Sequence, residues 1–260
     1  MNIFVPVRSV PDLVEELDID DSGTALDTTF MRLMLNELDE HAIEQAILLK
    51  ERQGGQVTVA ILDNECADDA LYTAAAKGAD RLIKFTRDFD GTPDNHGLAH
   101  LFGAVAKELQ PDLILTGVEA HDDLDGSVGP LLAGYLGMPY VGYVAKVTVN
   151  GDGCIVHKEY PGGLAAEMEV KLPAVLGIQV ADEPPRYMAI SKIRQAMKTT
   201  SIEEEGILSL VTATDLESGL GPTVSRMFKP EVGERATMID GDEDEIASRL
   251  VGIFKELGVL

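Results

Sequence analysis

Four short apolar runs, "IFVPV" (3–7), "VTVAIL" (57–62), "RLIKF" (81–85) and "DLILT" (112–116), alternate with helical patterns, and this alternation restricts the chain to one class of fold. Between the runs, "HAIEQAILLKER" (41–52) gathers Ala42, Ile43, Ala46, Ile47 and Leu49 on one helical face. "ADDALYTAAAKG" does the same with Ala67, Ala70, Leu71, Ala74 and Ala75, and Gly78 ends it. A third helix carries Leu98, Leu101, Phe102, Val105 and Leu109, with Pro111 as its stop. Repeated strand-helix units predict an α/β fold with a doubly wound, mostly parallel sheet, helices on both faces and ligands outside the carboxyl ends of the strands.

Two stretches break this rhythm. Residues 8–39 are too long for an ordinary strand-to-helix connection, so they are expected to be functional. "LDIDDSGTALD" predicts a small hairpin around Asp21-Ser22-Gly23, and "FMRLMLNEL" delivers Asn36 and Asp39 to the next helix as capping residues. After about residue 140 the pattern turns antiparallel, with a hairpin at about 145–172 that turns at Asn150-Gly151-Asp152-Gly153. The expected division is a nucleotide-binding α/β domain over 1–181 and a docking loop with a long C-terminal arm over 182–260. The arm carries too little apolar surface to fold alone; its last helix has one stripe of Ile246, Leu250, Ile253, Phe254 and Leu257, which is expected to pack on another subunit.

Composition removes several function classes. With 45 acidic against 21 basic residues, the net charge of -24 repels nucleic-acid phosphates and anionic lipid. Surface carboxylates in such excess suit a salt-rich interior, where counterions screen the repulsion. The N-terminal "MNIFVPVRSV" has no leader pattern and nowhere do eighteen apolar residues run together, so a cytoplasmic protein without membrane insertion is expected. Cys66 and Cys154 lie far apart with no CxxC, and read as small buried side chains in a reducing compartment.

The segment "GVEAHDDLDGSVGP" (117–130) crowds four carboxylates among three glycines directly after a strand. As a calcium loop it fails: His121 stands at the first ligand position, and Leu132 stands where a bidentate glutamate is needed. As a phosphate cradle it has Ser127 at a helix N-cap, Pro130 in the first turn and Gly117 and Gly126 for close backbone approach. A solvated acidic turn is the other reading that fits. His96 and His100 are four apart but lack the intervening glutamate of a metalloprotease helix, so they read as a helix face and no metal is expected. No nucleophile elbow, Walker lysine or dinucleotide glycine fingerprint is present, and no catalytic residue is expected. "PPRYMAISKIRQAM" clusters Arg186, Lys192 and Arg194 around Ile190 and Ile193, which fits equally a protein-docking loop and a short helix packing home.

Beyond these physical readings, the chain resembles the β-subunit of electron-transferring flavoproteins nearly end to end. The blocks are "FVPVRSVPD", "LNELDEHAIEQAILLKE", "AAAKGADR", "DLILTGVEAHDDLDGSVGP", "KEYPGGLAAEMEVKLPAVL" and "EPPRYMAISKIRQA". The tail "SRMFKPEVGERATMIDG" is similar to the branch associated with methylated-amine dehydrogenases. The resemblance implies an adenine-nucleotide-hydrolase-like α/β domain with AMP bound, paired with an α-subunit that holds most of one FAD. It implies electrons taken from a primary flavin dehydrogenase and passed to a quinone oxidoreductase, with no chemistry by this chain's own residues. By the same resemblance AMP lies among Pro6, Asn36, Glu37, Leu38, Asp39, Leu62, Gly117, Val118, Glu119, Ala120, His121, Asp122, Asp123, Leu124, Asp125, Gly126, Ser127 and Val128. Leu13 and Leu38 take positions near the flavin, and Arg186, Ile190, Lys192, Ile193 and Arg194 fall in the partner-docking loop, with Ile190 in place of its anchoring leucine.

The loop departs from the family pattern at His121, Leu124 and Ser127, which leaves phosphate binding in place and alters the contacts expected for ribose and adenine. Val128-Gly129-Pro130 is shared with relatives that bifurcate electrons and bind a second FAD in place of AMP, but the rest of their signature is missing. A third alternative is a stand-alone ATP- or AMP-binding stress-type homodimer.

Overall fold

The structure, a computed structural model, describes residues 1–86, 93–124, 127–216, 222–230, 233 and 236–259. The first part runs β1 (Asn2–Val7), β2 (Ser9–Pro11), β3 (Leu33–Leu35), α1 (Glu37–Gln53), β4 (Gln56–Leu62), α2 (Ala67–Lys77), β5 (Arg81–Thr86) and α3 (Asn95–Leu109). Then follow β6 (Leu113–Gly117), α4 (Val128–Leu136), β7 (Tyr140–Asn150), β8 (Gly153–Tyr160), β9 (Leu164–Lys171) and β10 (Ala174–Ile178). The remainder is α5 (Ile190–Thr199), β11 (Ile202–Gly206), two short turns of helix, α6 (Ile207–Leu210) and α7 (Ala213–Leu216), and α8 (Glu243–Glu256).

Nine strands form one sheet in the order β11-β5-β4-β1-β6-β10-β7-β8-β9, while β2 and β3 make a separate antiparallel ribbon. Pairing is parallel from β11 through β7 and antiparallel from β7 to β9. The period of two explains the layers. Ile3, Val5 and Val7 of β1, with Leu113 and Leu115 of β6, point toward Ile43, Ile47 and Leu71 of α1 and α2. Phe4 and Ile114 point the other way, toward Leu101, Phe102 and Leu132 of α3 and α4. Because both faces are covered, the central strands read as unbroken apolar runs.

The compact unit does not end at residue 181 but continues to Ser225. β11 extends the sheet beyond β5, and α5 packs on α2, so residues 182–216 belong to this unit. "IEEEG" escapes notice as a strand because Ile202 is its one apolar residue; its three glutamates mark an edge that resists further pairing. The second unit is Arg226–Leu260, in which Asp242 caps α8 through a capping box with Glu245. Leu250, Ile253, Phe254 and Leu257 of the expected stripe are all exposed within that unit.

Candidate functional site

β1 and β6 lie side by side, yet the helices that follow them, α1 and α4, cover opposite faces, so a crevice opens outside their carboxyl ends. Three elements converge there: the end of β1, the start of α1 and the loop from β6 to α4. Pro6, Asn36, Asp39, Gly117, Glu119, Ala120, Asp123, Ser127 and Val128 of the expected set line it.

Asn36 and Asp39 are brought to the crevice, but not as caps. Asn36 stands at the N-cap of α1 without capping it; its side-chain amide donates instead to the Glu119 carbonyl at 3.0 Å. The Asp39 carboxylate reaches across to accept from the backbone N–H of Gly117 at 2.7 Å and of Arg8 at 2.8 Å, clamping three elements together. Burial pushes its pKa up to about 6, while the two N–H donors and the Arg8 charge pull the other way. This approach explains the glycine after "DLILT": a Cβ at Gly117 would lie 2.7 Å from Asp39 Oδ1 and 2.9 Å from both Asp39 N and the Leu38 carbonyl carbon.

The acids of the loop do not simply face solvent. Arg8 pairs with both Asp122, at 3.3 Å, and Asp123. Asp123 also accepts from the Asn95 amide at 2.9 Å and from Ala120 N at 2.8 Å, so the carboxylate is engaged on both oxygens. Glu119 accepts from the Tyr143 hydroxyl at 3.2 Å. Sequence reasoning missed Arg8, although its position at the carboxyl end of β1 was itself a signal. His121 and Leu124 are exposed, and Asp125 and Gly126 lie outside the described residues.

Ser127 occupies the N-cap of α4, as expected, but makes no capping bond. Its side chain borders the same space as Tyr140, whose phenol is pushed up to about 12, mainly by burial. Beneath the same turn, Thr116 Oγ1 is buried without a hydrogen-bond partner among the described residues and lies 2.8 Å from where a Cβ on Gly129 would be. Unpaired N–H groups at a helix start, the positive end of its dipole and an orphaned hydroxyl together form an arrangement suited to an anion.

Two larger spaces flank this point. One of about 600 Å³ lies on the β4 side, bordered by Arg8, Leu62, Asn64 and Phe102. The other, of about 510 Å³, lies on the hairpin side, bordered by Ser127, Tyr140, Tyr143, Lys158 and Tyr160. Lys158 sits 5.5 Å from the Tyr143 ring centre and 5.3 Å from that of Tyr160. Glu37 and Leu38 stay at the first turn of α1 without lining either space, and Leu13 is 63% exposed.

Arg186 is not a free steering charge. Its guanidinium is held by buried Glu44 and by Glu51, each at 2.7 Å, which fastens the approach to α5 onto α1. Lys192, Arg194 and Ile190 are exposed on α5, Ile190 at 63%, beside Tyr187 at 88%. His96 and His100 both meet Tyr135, His96 through a 2.7 Å hydrogen bond and His100 by ring stacking at 4.0 Å. Among the described residues no group of three or more metal-ligating side chains forms, and no helix is long and apolar enough to cross a membrane.

Comparison with known proteins agrees with this architecture. Residues 30–206 match the family described as the electron transfer flavoprotein domain. The "Electron transfer flavoprotein subunit beta" of Methylophilus methylotrophus is 33% identical over 262 residues, covering 98% of each chain. The proteins of the same name from Clostridium acetobutylicum and Bacillus subtilis are 33% and 31% identical, again over 98% of each chain.

Proposed function

Because the chain belongs to the electron transfer flavoprotein β-subunit family, we propose that it is the nucleotide-holding half of a flavin electron carrier whose FAD is held mainly by an α-subunit. The observation that carries the nucleotide part is the uncapped start of α4 above the orphaned Thr116 hydroxyl, a pocket for a phosphate group. AMP fits this reading: the phosphate sits on the backbone near Val128 and Gly129, and the remainder extends past Arg8 into the 600 Å³ space bordered by Leu62. A phosphate with few charges suits a crevice in which Asp39, Glu119, Asp122 and Asp123 surround the single guanidinium of Arg8.

FAD supplies the redox chemistry, and the role of this chain is to scaffold and present it. A primary dehydrogenase docks at α5, where Ile190 and Tyr187 offer an apolar anchor with Lys192 and Arg194 around it, and a quinone oxidoreductase or similar acceptor takes the electrons onward. The apolar stripe of α8, exposed in its own unit, is the surface offered to the α-subunit. A second reading, FAD in place of AMP as in bifurcating relatives, is favoured by one feature: the 510 Å³ space continues from the phosphate turn along Tyr143 and Tyr160.

Expression with and without the α-subunit tests the proposal. The pair is expected to purify as a yellow heterodimer, and Ile190→Ala is expected to slow its reduction by the dehydrogenase with the flavin spectrum unchanged. A colourless homodimer that forms regardless of the α-subunit would support a stand-alone module and overturn the carrier reading.

A further inference from the structure

Between the space of about 600 Å³ on the β4 side and the one of about 510 Å³ on the hairpin side lies a constriction of only about 10 Å³. A water molecule takes roughly 30 Å³ in the liquid, so the passage is closed to any ligand. Arg8 is on the wall of the β4-side space and of the constriction, and Asp123 is on the wall of the constriction and of the hairpin-side space. Their ion pair therefore spans the closed point.

The two partners are held differently. The Arg8 backbone is fixed, because its N–H donates to Asp39 at 2.8 Å, and its side chain reaches out from that point to Asp123 and, at 3.3 Å, to Asp122. Asp123 does not depend on it: its carboxylate also accepts from the Asn95 amide at 2.9 Å and from Ala120 N at 2.8 Å. Losing Arg8 would leave those two donors in place, so the pair can part without stranding a bare carboxylate. With side chains only 17% and 9% exposed, the Arg8–Asp123 pair is poorly screened by solvent, whereas Asp122 is 34% exposed and competes less. Among the described residues that line the constriction, Arg8 is the one cation, facing the acids Asp39, Glu119 and Asp123. An anion that reaches the start of α4 finds the nearest countercharge already taken.

We propose that Asp123 occupies in advance the place of an anionic ligand group: a nucleotide phosphate binds by drawing the Arg8 guanidinium away from Asp123, and this exchange opens the constriction between the two spaces. The inference rests on the nucleotide reading above and names the side chains that set its affinity. Guanidinium pairs bidentately with phosphate, and the N–H groups at the start of α4 add to the pull. A nucleoside has no group that can displace a carboxylate. The pair thus weakens binding of every ligand that must cross it and favours those that carry a phosphate.

The test uses the full chain in complex with its α-subunit, stripped of nucleotide and titrated with AMP and with adenosine. Asp123→Asn keeps the size of the side chain and removes the charge that competes for Arg8; it is expected to tighten AMP binding about tenfold while adenosine changes less than about twofold. Arg8→Gln is expected to weaken AMP about tenfold, again with little effect on adenosine, and to remove the gain from Asp123→Asn when the two are combined. Glu108→Gln, exposed at the far end of α3, takes one charge from the same acidic chain and is expected to leave both affinities unchanged. If the pair were only a staple between β1 and the β6–α4 loop, Asp123→Asn would weaken both ligands. That result, an unchanged AMP affinity, or a gain that persists without Arg8 overturns the inference alone. Melting temperatures report whether each variant is folded; should Asp123→Asn not fold, an equal loss of AMP and adenosine in Arg8→Gln overturns it. A parent protein that binds no AMP overturns the phosphate reading as well.

Discussion

Gly117→Ala is expected to cost about 3 kcal/mol of folding stability, the upper range for overpacking a tight contact, and to abolish nucleotide retention. The added methyl has nowhere to go. It would meet the Asp39 carboxylate at 2.7 Å and the backbone of Leu38 and Asp39 at 2.9 Å, and α1 is fixed by the sheet beneath it. To make room, Asp39 must release the N–H groups of Gly117 and Arg8, which leaves a carboxyl that is 3% exposed short of partners. The Asn36 bond to the Glu119 carbonyl spans the same junction and would lengthen with it. Chemical denaturation and the nucleotide content of the purified complex read the two effects. Gly23→Ala is a useful contrast: a Cβ there meets nothing, although its φ of 70° still makes the change strained. A Gly117→Ala protein with parental stability would show that the Asp39 clamp is not what joins α1 to β6.

Glu44→Ala is expected to cost about 2 to 3 kcal/mol and to loosen the docking segment selectively. Glu44 is 1% exposed on α1, and its carboxylate accepts from both the backbone N–H of Arg186, at 3.0 Å, and its guanidinium Nε, at 2.7 Å. Neighbouring residues of α1 add to this strap: Gln45 accepts from Asp182 N at 2.8 Å, and His41 accepts from Ala181 N at 3.2 Å. These bonds hold the chain between β10 and α5 along α1. Removing Glu44 leaves Arg186 only Glu51, whose side chain is 53% exposed, so the remaining pair is screened by solvent and contributes little. Glu51→Ala is accordingly expected to cost less than about 1 kcal/mol. Hydrogen exchange should report faster opening over 182–199 in Glu44→Ala while β1 and β6 keep their protection. Equal effects of the two substitutions would contradict this division of labour.

Much of the fold was legible because buried parallel strands are unbroken apolar runs with clear ends. β1, β4, β5 and β6 each fall within one residue of the runs at 3–7, 57–62, 81–85 and 112–116. The hairpin expected at Asp21-Ser22-Gly23 closes through the Ile19–Leu26 bridge, with Gly23 at φ 70°. α1 begins at Glu37, ahead of the apolar periodicity that starts at Ala42, because its first turn is acidic and is placed by the helix dipole and the Asp39 clamp. β11 left no apolar signature, being an edge strand of consecutive glutamates.

The crevice was legible only in its local parts. Gly117 and the start of α4 announce themselves within a few residues of the strand that precedes them. Arg8 does not, since its partner Asp123 is 115 residues away. Tyr140 left still less trace, for its close packing against Gly129, Gly142 and Gly177 depends on α4, β7 and β10 meeting at one place, and no pattern along the chain records that meeting. Thr116 reads as one more strand residue, and only the packed structure shows that its hydroxyl lacks a partner among the described residues.

The central claim is that the β6–α4 turn holds an adenine nucleotide that this chain does not consume. Denaturing the purified heterodimer and identifying what it releases, by mass and by absorbance, tests the claim most directly. The account predicts AMP and FAD in equal amounts, with AMP unchanged after repeated reduction and reoxidation of the flavin. A complex that releases flavin but no adenine mononucleotide and no second FAD would contradict it.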